Sequence, residues 1–146
     1  MEKAIPLLHN VSGVQKVLDM AKLTFALGFD ELVLTKVYGA AAQSGVAEAF
    51  KIALREEKGL VVLPEMKDAL ELYRPDALYL VDRDHAKEEV DPFALKVNGL
   101  VMIAFNGSDT SFSPSELSLG KPIYLKNSKR LGCIAEASLI LYGIKR

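Results

Sequence analysis

Short runs of β-branched and aliphatic residues alternate along this chain with longer segments in which apolar residues recur at helical spacing. The runs are nearly continuously apolar, which is typical of strands in a sheet that is covered on both faces. They predict six strands: Ala4–Leu8, Glu31–Thr35, Leu60–Leu63, Ala77–Val81, Leu100–Phe105 and Pro122–Leu125.

The segments between these runs predict four helices: Val14–Leu27, Val46–Glu57, Met66–Tyr73 and Ile134–Tyr142. Ser12 is expected to cap the first of them. Strands that alternate with helices require crossover connections. The pattern therefore predicts one α/β domain over residues 1–146, with a mainly parallel sheet and helices on both faces.

Two stretches lack a regular pattern. Asp82–Asp91 is highly charged, and we expect a loop or a short exposed helix there. Asn106–Leu119 is rich in serine and follows a predicted buried strand. Loops at the carboxyl ends of parallel strands commonly bind ligands, so the second stretch is a candidate functional loop.

Composition supports a packed globular domain, since 50% of the 146 residues are hydrophobic and 25% are charged. Cys133 is the only cysteine, which excludes an internal disulfide and a cysteine-based zinc site. The opening residues do not resemble a signal peptide, and no apolar run is long enough for a membrane span. These features predict a soluble, cytoplasmic protein with no membrane partner.

The net charge of −1 gives no indication of a nucleic-acid partner, but its distribution is uneven. Residues 121–146 hold six basic residues against Glu136 alone. Such asymmetry is typical of proteins that bind phosphate-rich partners, although a solvated surface near the terminus explains it equally well.

Three segments carry candidate chemistry. Near the start, His9-Asn10-Val11-Ser12-Gly13 follows the first predicted strand. Ala104-Phe105-Asn106-Gly107-Ser108-Asp109 ends a buried strand. Near the end of the chain, Ile123-Tyr124-Leu125 precedes the segment Arg130-Leu131-Gly132-Cys133-Ile134-Ala135-Glu136-Ala137-Ser138-Leu139-Ile140-Leu141-Tyr142. Taken singly, each is also compatible with an ordinary turn or with close helix packing.

In order and spacing, the three segments together resemble the motifs of the SPOUT superfamily of S-adenosylmethionine-dependent RNA methyltransferases. The resemblance implies an α/β fold with a C-terminal deep trefoil knot, a homodimer packed through the knot helices, and tRNA or rRNA as substrate. It also implies that S-adenosylmethionine binds in the knot, and no metal site is predicted. The residues implied to bind this cofactor are Phe105, Gly107, Ile123, Leu125, Leu131, Gly132 and Cys133.

The basic residues beside that implied cofactor loop are the expected RNA contacts: Lys121, Lys126, Lys129 and Arg130. The chain departs from the family pattern where Arg130 and Gly132 replace a serine and an asparagine of the third motif. The catalytic group therefore stays open, with Asn10, Lys22 and Asp109 as candidates.

Two other functions compete with this interpretation. Glu65 and Lys67 form an E-x-K triplet directly after a strand that is predicted to be buried, similar to the core of Mg²⁺-dependent PD-(D/E)xK nucleases. The same two residues also suit the first turn of a helix. The third possibility is a module without catalytic activity that binds RNA or the cofactor.

Overall fold

The computed structural model describes residues 2–145. Its strands and helices alternate along the chain in the following order: β1 Lys3–Val11, α1 Val14–Ala26, β2 Glu31–Val37, α2 Val46–Glu56, β3 Gly59–Leu63, α3 Met66–Tyr73, β4 Ala77–Val81, β5 Glu88–Val90, β6 Leu100–Asn106, α4 Pro114–Leu117, β7 Lys121–Leu125 and α5 Cys133–Lys145. A π-helical turn, Ala41–Gly45, runs directly into α2.

The strands form one parallel sheet with the order β3-β2-β1-β6-β4-β7-β5. β1 lies near the middle, where Leu7 pairs with Val33 of β2 on one side and with Ala104 of β6 on the other. The six predicted strands and the parallel α/β class are therefore confirmed.

Helices cover both faces of the sheet, because successive side chains of a strand point to opposite sides. On one face, Leu8 packs in a core with residues of α1, α2 and α5. On the other, Ile5 and Leu7 pack with Met66 and Ala69 of α3. The prediction of helices on both faces of the sheet is therefore confirmed.

The structure corrects the expectation for Asp82–Asp91, which contains the short strand β5 rather than only a loop or a helix. Val90 is buried and pairs with Leu125 of β7, whereas Glu88 and Glu89 point into solvent at the sheet edge. One buried residue among so many charges leaves no alternating pattern in the sequence. The edge position of β5 explains why charged residues are tolerated in it.

Two smaller expectations are also wrong. The N-cap of α1 is Gly13, which has no side chain to form a cap hydrogen bond, and Ser12 instead uses its backbone carbonyl to accept from the Ala41 N–H at 2.9 Å. The strand before Glu65 is not buried, because β3 forms the other edge of the sheet and Val62 is exposed. Among residues 2–145, no helix is both long and apolar enough to cross a membrane.

Candidate functional site

A polar cleft of about 380 Å³ opens at the carboxyl ends of the neighbouring strands β4 and β6. Three loops enclose it: residues 81–84 after β4, residues 105–112 after β6, and residues 130–136 at the start of α5. Lys16 of α1 completes the lining. Open parallel sheets commonly bind ligands at this place, so the cleft is the candidate functional site.

An ion pair joins two of these loops at the rim. The Arg130 guanidinium donates to the Asp84 carboxylate, and the Ser111 hydroxyl donates to the same carboxylate at 2.9 Å. The hydrogen bond from Arg130 holds the pKa of Asp84 below its ordinary value, and Asp84 in turn raises the pKa of Arg130. Both side chains are exposed, so an anionic ligand can compete with Asp84 for Arg130.

The loop after β6 is held by its own polar side chains. Asn106 accepts from the Ser108 N–H at 3.0 Å and donates to the Thr110 carbonyl at 2.7 Å. Gly107 donates its N–H to the His9 carbonyl at 2.6 Å, while its own carbonyl accepts from Lys16 Nζ at 2.9 Å. The hydrogen bond to the Gly107 carbonyl therefore holds the amino group of Lys16 in place in the cleft.

Asp82 lies at the back of the cleft and is almost fully buried. Its carboxylate accepts from the backbone N–H groups of Asp84 and His85, at 3.0 and 3.3 Å. The His85 ring is a third partner, at 3.3 Å. These contacts make Asp82 an organiser of the 82–85 turn, which presents Arg83 and Asp84 to the cleft.

Beside the cleft, a buried hydrogen-bond network connects three elements. His9 Nδ1 lies 2.7 Å from the Thr35 hydroxyl, and His9 Nε2 lies 2.7 Å from a carboxylate oxygen of Glu116. Burial lowers the pKa of His9, although Glu116 opposes the shift. The neutral ring with its proton on Nε2 satisfies both contacts, since it donates to the carboxylate and accepts from the hydroxyl. Thr35 and His9 are fully buried, so the network fixes α4 over the strand ends rather than acting on a substrate.

The structure brings together six of the residues singled out from the sequence. All six line the cleft: Phe105, Asp109, Arg130, Leu131, Gly132 and Cys133. Cys133 is largely enclosed, and burial raises the pKa of its thiol to about 11.

The remaining predicted residues are not part of the cleft lining: Asn10, Lys22, Gly107, Ile123, Leu125, Lys121, Lys126 and Lys129. Ile123 is in the core, and Gly107 lies beneath the floor. Asn10 donates to the hydroxyl of Ser108, a lining residue, at 3.2 Å. Lys121 forms an ion pair with Glu88 at 2.6 Å, which reduces the free positive charge of the C-terminal segment.

The E-x-K triplet begins a helix. Glu65 is the N-cap of α3, and its backbone N–H donates to the Asp68 carboxylate at 2.9 Å. Lys67 is exposed on the first turn. The charge of Glu65 acts weakly on His9, where it opposes the lowering of the pKa of the ring.

Sequence reasoning missed Asp82, Arg83, Ser111 and Glu136 as cleft residues. A usable signal was present for the first two, because they follow directly after the buried strand β4. No comparable signal marks Glu136 on α5, whose inward position depends on how the helix packs.

Solved structures that are named as methyltransferases have a similar fold. The chain superposes on the SpoU methyltransferase AviRb from Streptomyces viridochromogenes, solved with AdoMet, with a TM-score of 0.76 and 15% identity. The match covers 99% of this chain but only 58% of AviRb. A "probable methyltransferase" from Bordetella pertussis gives a TM-score of 0.74 and 17% identity, with 99% and 95% of the two chains covered. The fold is thus SpoU-like, and at this identity the likeness extends to fold alone.

Sequence comparison indicates a different function. A protein of Aeropyrum pernix, named "Putative type II restriction enzyme ApeKORF2002P", is 46% identical over 99% of this chain and 94% of its own length. One of Methanocaldococcus jannaschii, named "Putative type II restriction enzyme MjaORF1200P", is 28% identical over 100% and 99%. Residues 39–143 match the family described as RecB-family nuclease (DUF2122).

These matches correct the principal functional prediction. The family match and the two relatives contradict the assignment as an S-adenosylmethionine-dependent RNA methyltransferase. They also contradict the prediction of S-adenosylmethionine as the cofactor. The resemblance identified an α/β fold that this chain shares with SpoU methyltransferases, but one fold carries many chemistries. The nuclease alternative is the better supported. The chain belongs to the RecB-family nuclease family (DUF2122).

Proposed function

We propose that this protein is a nuclease that cleaves the phosphodiester backbone of DNA, and that the cleft at the ends of β4 and β6 holds the substrate. The observation that carries the proposal is the 46% identity, over nearly the whole chain, to a protein named as a type II restriction enzyme. DNA is the substrate class of that group of enzymes.

The charges of the cleft suit a phosphate-bearing strand. Lys16, Arg83 and Arg130 line it, and each can donate to phosphate oxygens. Arg130 is the most accessible of the three, because its partner Asp84 is an exposed carboxylate that a phosphate can replace. Lys16 faces the floor from a fixed position on the Gly107 carbonyl. These side chains bind and orient the strand.

Nucleases commonly use Mg²⁺, which prefers carboxylate oxygens. Residues 2–145 contain no group of three or more His, Cys, Asp or Glu side chains arranged to hold a metal ion. Asp82 is already occupied by two N–H donors and the His85 ring, and Asp84 by Arg130 and Ser111. The described residues therefore do not form a preassembled metal site, and we assign no step to a metal.

Glu65 and Lys67 are the second candidate for the catalytic position. Both side chains are exposed, and the nuclease family supports the class of enzyme to which an E-x-K triplet belongs. The two locations can be separated by mutation.

The test measures cleavage of linear and supercoiled DNA, with RNA for comparison, in Mg²⁺, in Mn²⁺ and in EDTA. We expect DNA cleavage that falls at least tenfold in Arg130→Ala, because a charged hydrogen bond to phosphate is worth about 1.5–3 kcal/mol. Arg55→Ala, an exposed change on α2, is the matched control. Loss of cleavage in Glu65→Gln with normal cleavage in Arg130→Ala would move the site to the E-x-K triplet.

We also propose that the protein is a homodimer that packs through the outer face of α5. Leu139 and Tyr142 are each 50% exposed there, and the neighbouring Phe93 is 62% exposed, so a contiguous apolar surface lies beside a depression. Light scattering should give twice the chain mass for the wild type and a smaller mass for Leu139→Lys. A wild type of single-chain mass contradicts this proposal.

The C-terminal knot stays a prediction, and we retain it as a proposal. The tight packing of α5 supports it, since a Cβ at Gly143 would overlap Pro92, in the segment between β5 and β6. An experimental structure whose backbone cannot be straightened by pulling its two ends would agree with the knot. A backbone that straightens would contradict it.

A further inference from the structure

Two buried polar atoms in the cleft have no hydrogen-bond partner. They are Nε of Arg83, a donor, and Oε2 of Glu136, an acceptor. The third such side-chain atom within residues 2–145 is the Thr24 hydroxyl on α1, which does not line the cleft. A buried polar atom without a partner is costly, so two of them in one cavity indicate a ligand that satisfies them.

The two side chains do not satisfy each other, since no ion pair joins them in the described chain. The far end of Arg83 is engaged elsewhere, where one terminal nitrogen donates to the Leu125 carbonyl at 3.2 Å and to the Ser128 hydroxyl at 3.0 Å. Its guanidinium also lies over the Tyr124 ring, 5.0 Å from the ring centre. These contacts hold the guanidinium in place, while its buried Nε has no partner.

Glu136 is half-buried, and two positive side chains, Arg83 and Arg130, act on its carboxyl. Burial raises the pKa of its carboxyl, while the charges of Arg83 and Arg130 act in the opposite direction. A ligand N–H that donates to this carboxylate would stabilise its ionised form. The cleft thus offers a fixed donor and a buried acceptor, both without a partner.

The edge of a nucleobase matches this pair of groups, because it carries an acceptor next to a donor. Guanine matches best: its O6 can accept from Nε of Arg83, and its N1–H and N2–H groups can both donate to the carboxylate of Glu136. Thymine offers a carboxylate only one ring N–H, and adenine and cytosine each offer it only one amino group. The cavity volume lies within the usual range for sites of small ligands.

We propose that Arg83 and Glu136 form a binding site for an unpaired guanine base. The inference rests on the proposed function, because it identifies which base of the nucleic acid enters the cleft. A guanine within a duplex has its pairing edge occupied, so the site takes a guanine that is single-stranded or turned out of the helix.

The test is calorimetric titration of the full-length protein with dGMP, dAMP, dCMP and dTMP. We expect dGMP to bind at least tenfold more tightly than the other three. Glu136→Gln should remove this preference, because the amide offers a donor where guanine also has a donor. Glu71→Gln, an exposed change on α3, should leave it intact, and circular dichroism checks that each variant is folded.

Equal affinity for the four nucleotides, no binding of any of them, or a guanine preference that survives in Glu136→Gln would each overturn the inference. DNA cleavage is assayed on the same preparations, which separates the two proposals. Cleavage without a guanine preference contradicts the base site alone. Guanine binding without cleavage of any nucleic acid contradicts the nuclease proposal alone.

Discussion

Replacing Gly107 with alanine tests the packing that forms the floor of the cleft. Gly107 is buried just past the end of β6, and its N–H donates to the His9 carbonyl at 2.6 Å. An added Cβ would lie 2.8 Å from Val11 Cβ and 2.9 Å from the Asn10 carbonyl oxygen. Favourable contacts between such atoms begin at about 3.5 Å. Because β1 is held by neighbours on both sides, its backbone cannot move away cheaply.

Overpacking of this kind costs about 1–3 kcal/mol. For a chain of this size, we expect the midpoint of thermal unfolding to fall by roughly 3–10 °C. Urea denaturation followed by circular dichroism measures the free energy of unfolding directly. A displacement of Gly107 should also displace Lys16 in the cleft, because the Lys16 amino group is anchored on the Gly107 carbonyl.

Gly132→Ala is the matched control, since Gly132 lines the same cleft and a Cβ there would have no atom within 4 Å. We expect a change within about 0.5 kcal/mol for this variant. If Gly107→Ala proves as stable as Gly132→Ala, the close approach of β1 and the loop after β6 is refuted.

Two further predictions follow from buried groups. Because the pKa of Cys133 is about 11, its thiolate fraction at pH 8 is about 100-fold below that of an ordinary cysteine. A more basic thiolate is also a better nucleophile, and this greater reactivity offsets the lower thiolate fraction about tenfold. Alkylation by iodoacetamide should therefore be about tenfold slower than for a free thiol, and a rate equal to that of glutathione would contradict the burial. Since the pKa of His9 is lowered in the folded protein, the stability that it provides is present above about pH 6.5 and is lost as the pH falls. Urea titrations from pH 7.5 to 5.5 should show this loss in the wild type and a smaller one in His9→Gln, and equal slopes would exclude His9 as its source.

The sequence was sufficient for the sheet and for most of its helices, because short apolar runs such as Leu100–Phe105, bounded by polar or turn residues, are typical of strands in a covered parallel sheet. It was insufficient where a single residue decides the outcome. Val90 turns a charged stretch into an edge strand, and its pairing partner Leu125 is distant in the chain.

The sequence predicted only some of the residues of the candidate site. Local motifs identified Phe105, Arg130 and the residues that follow Arg130, because a loop after a strand can be read from its neighbours. Glu136 could not be found in this way, since only the packing of α5 against the sheet turns it inward. The function was misassigned for a related reason: the motifs that gave the resemblance encode the fold, and the same fold accommodates different active sites.

The central claim, that the protein cleaves DNA at the cleft, is tested most directly by the initial rate of DNA cleavage by the wild type and by Arg130→Ala purified in the same way. The account predicts cleavage by the wild type, at least a tenfold lower rate for Arg130→Ala, and an unchanged rate for Arg55→Ala. The same low rate in all three preparations, or no cleavage of DNA in either divalent cation or in EDTA, would contradict it.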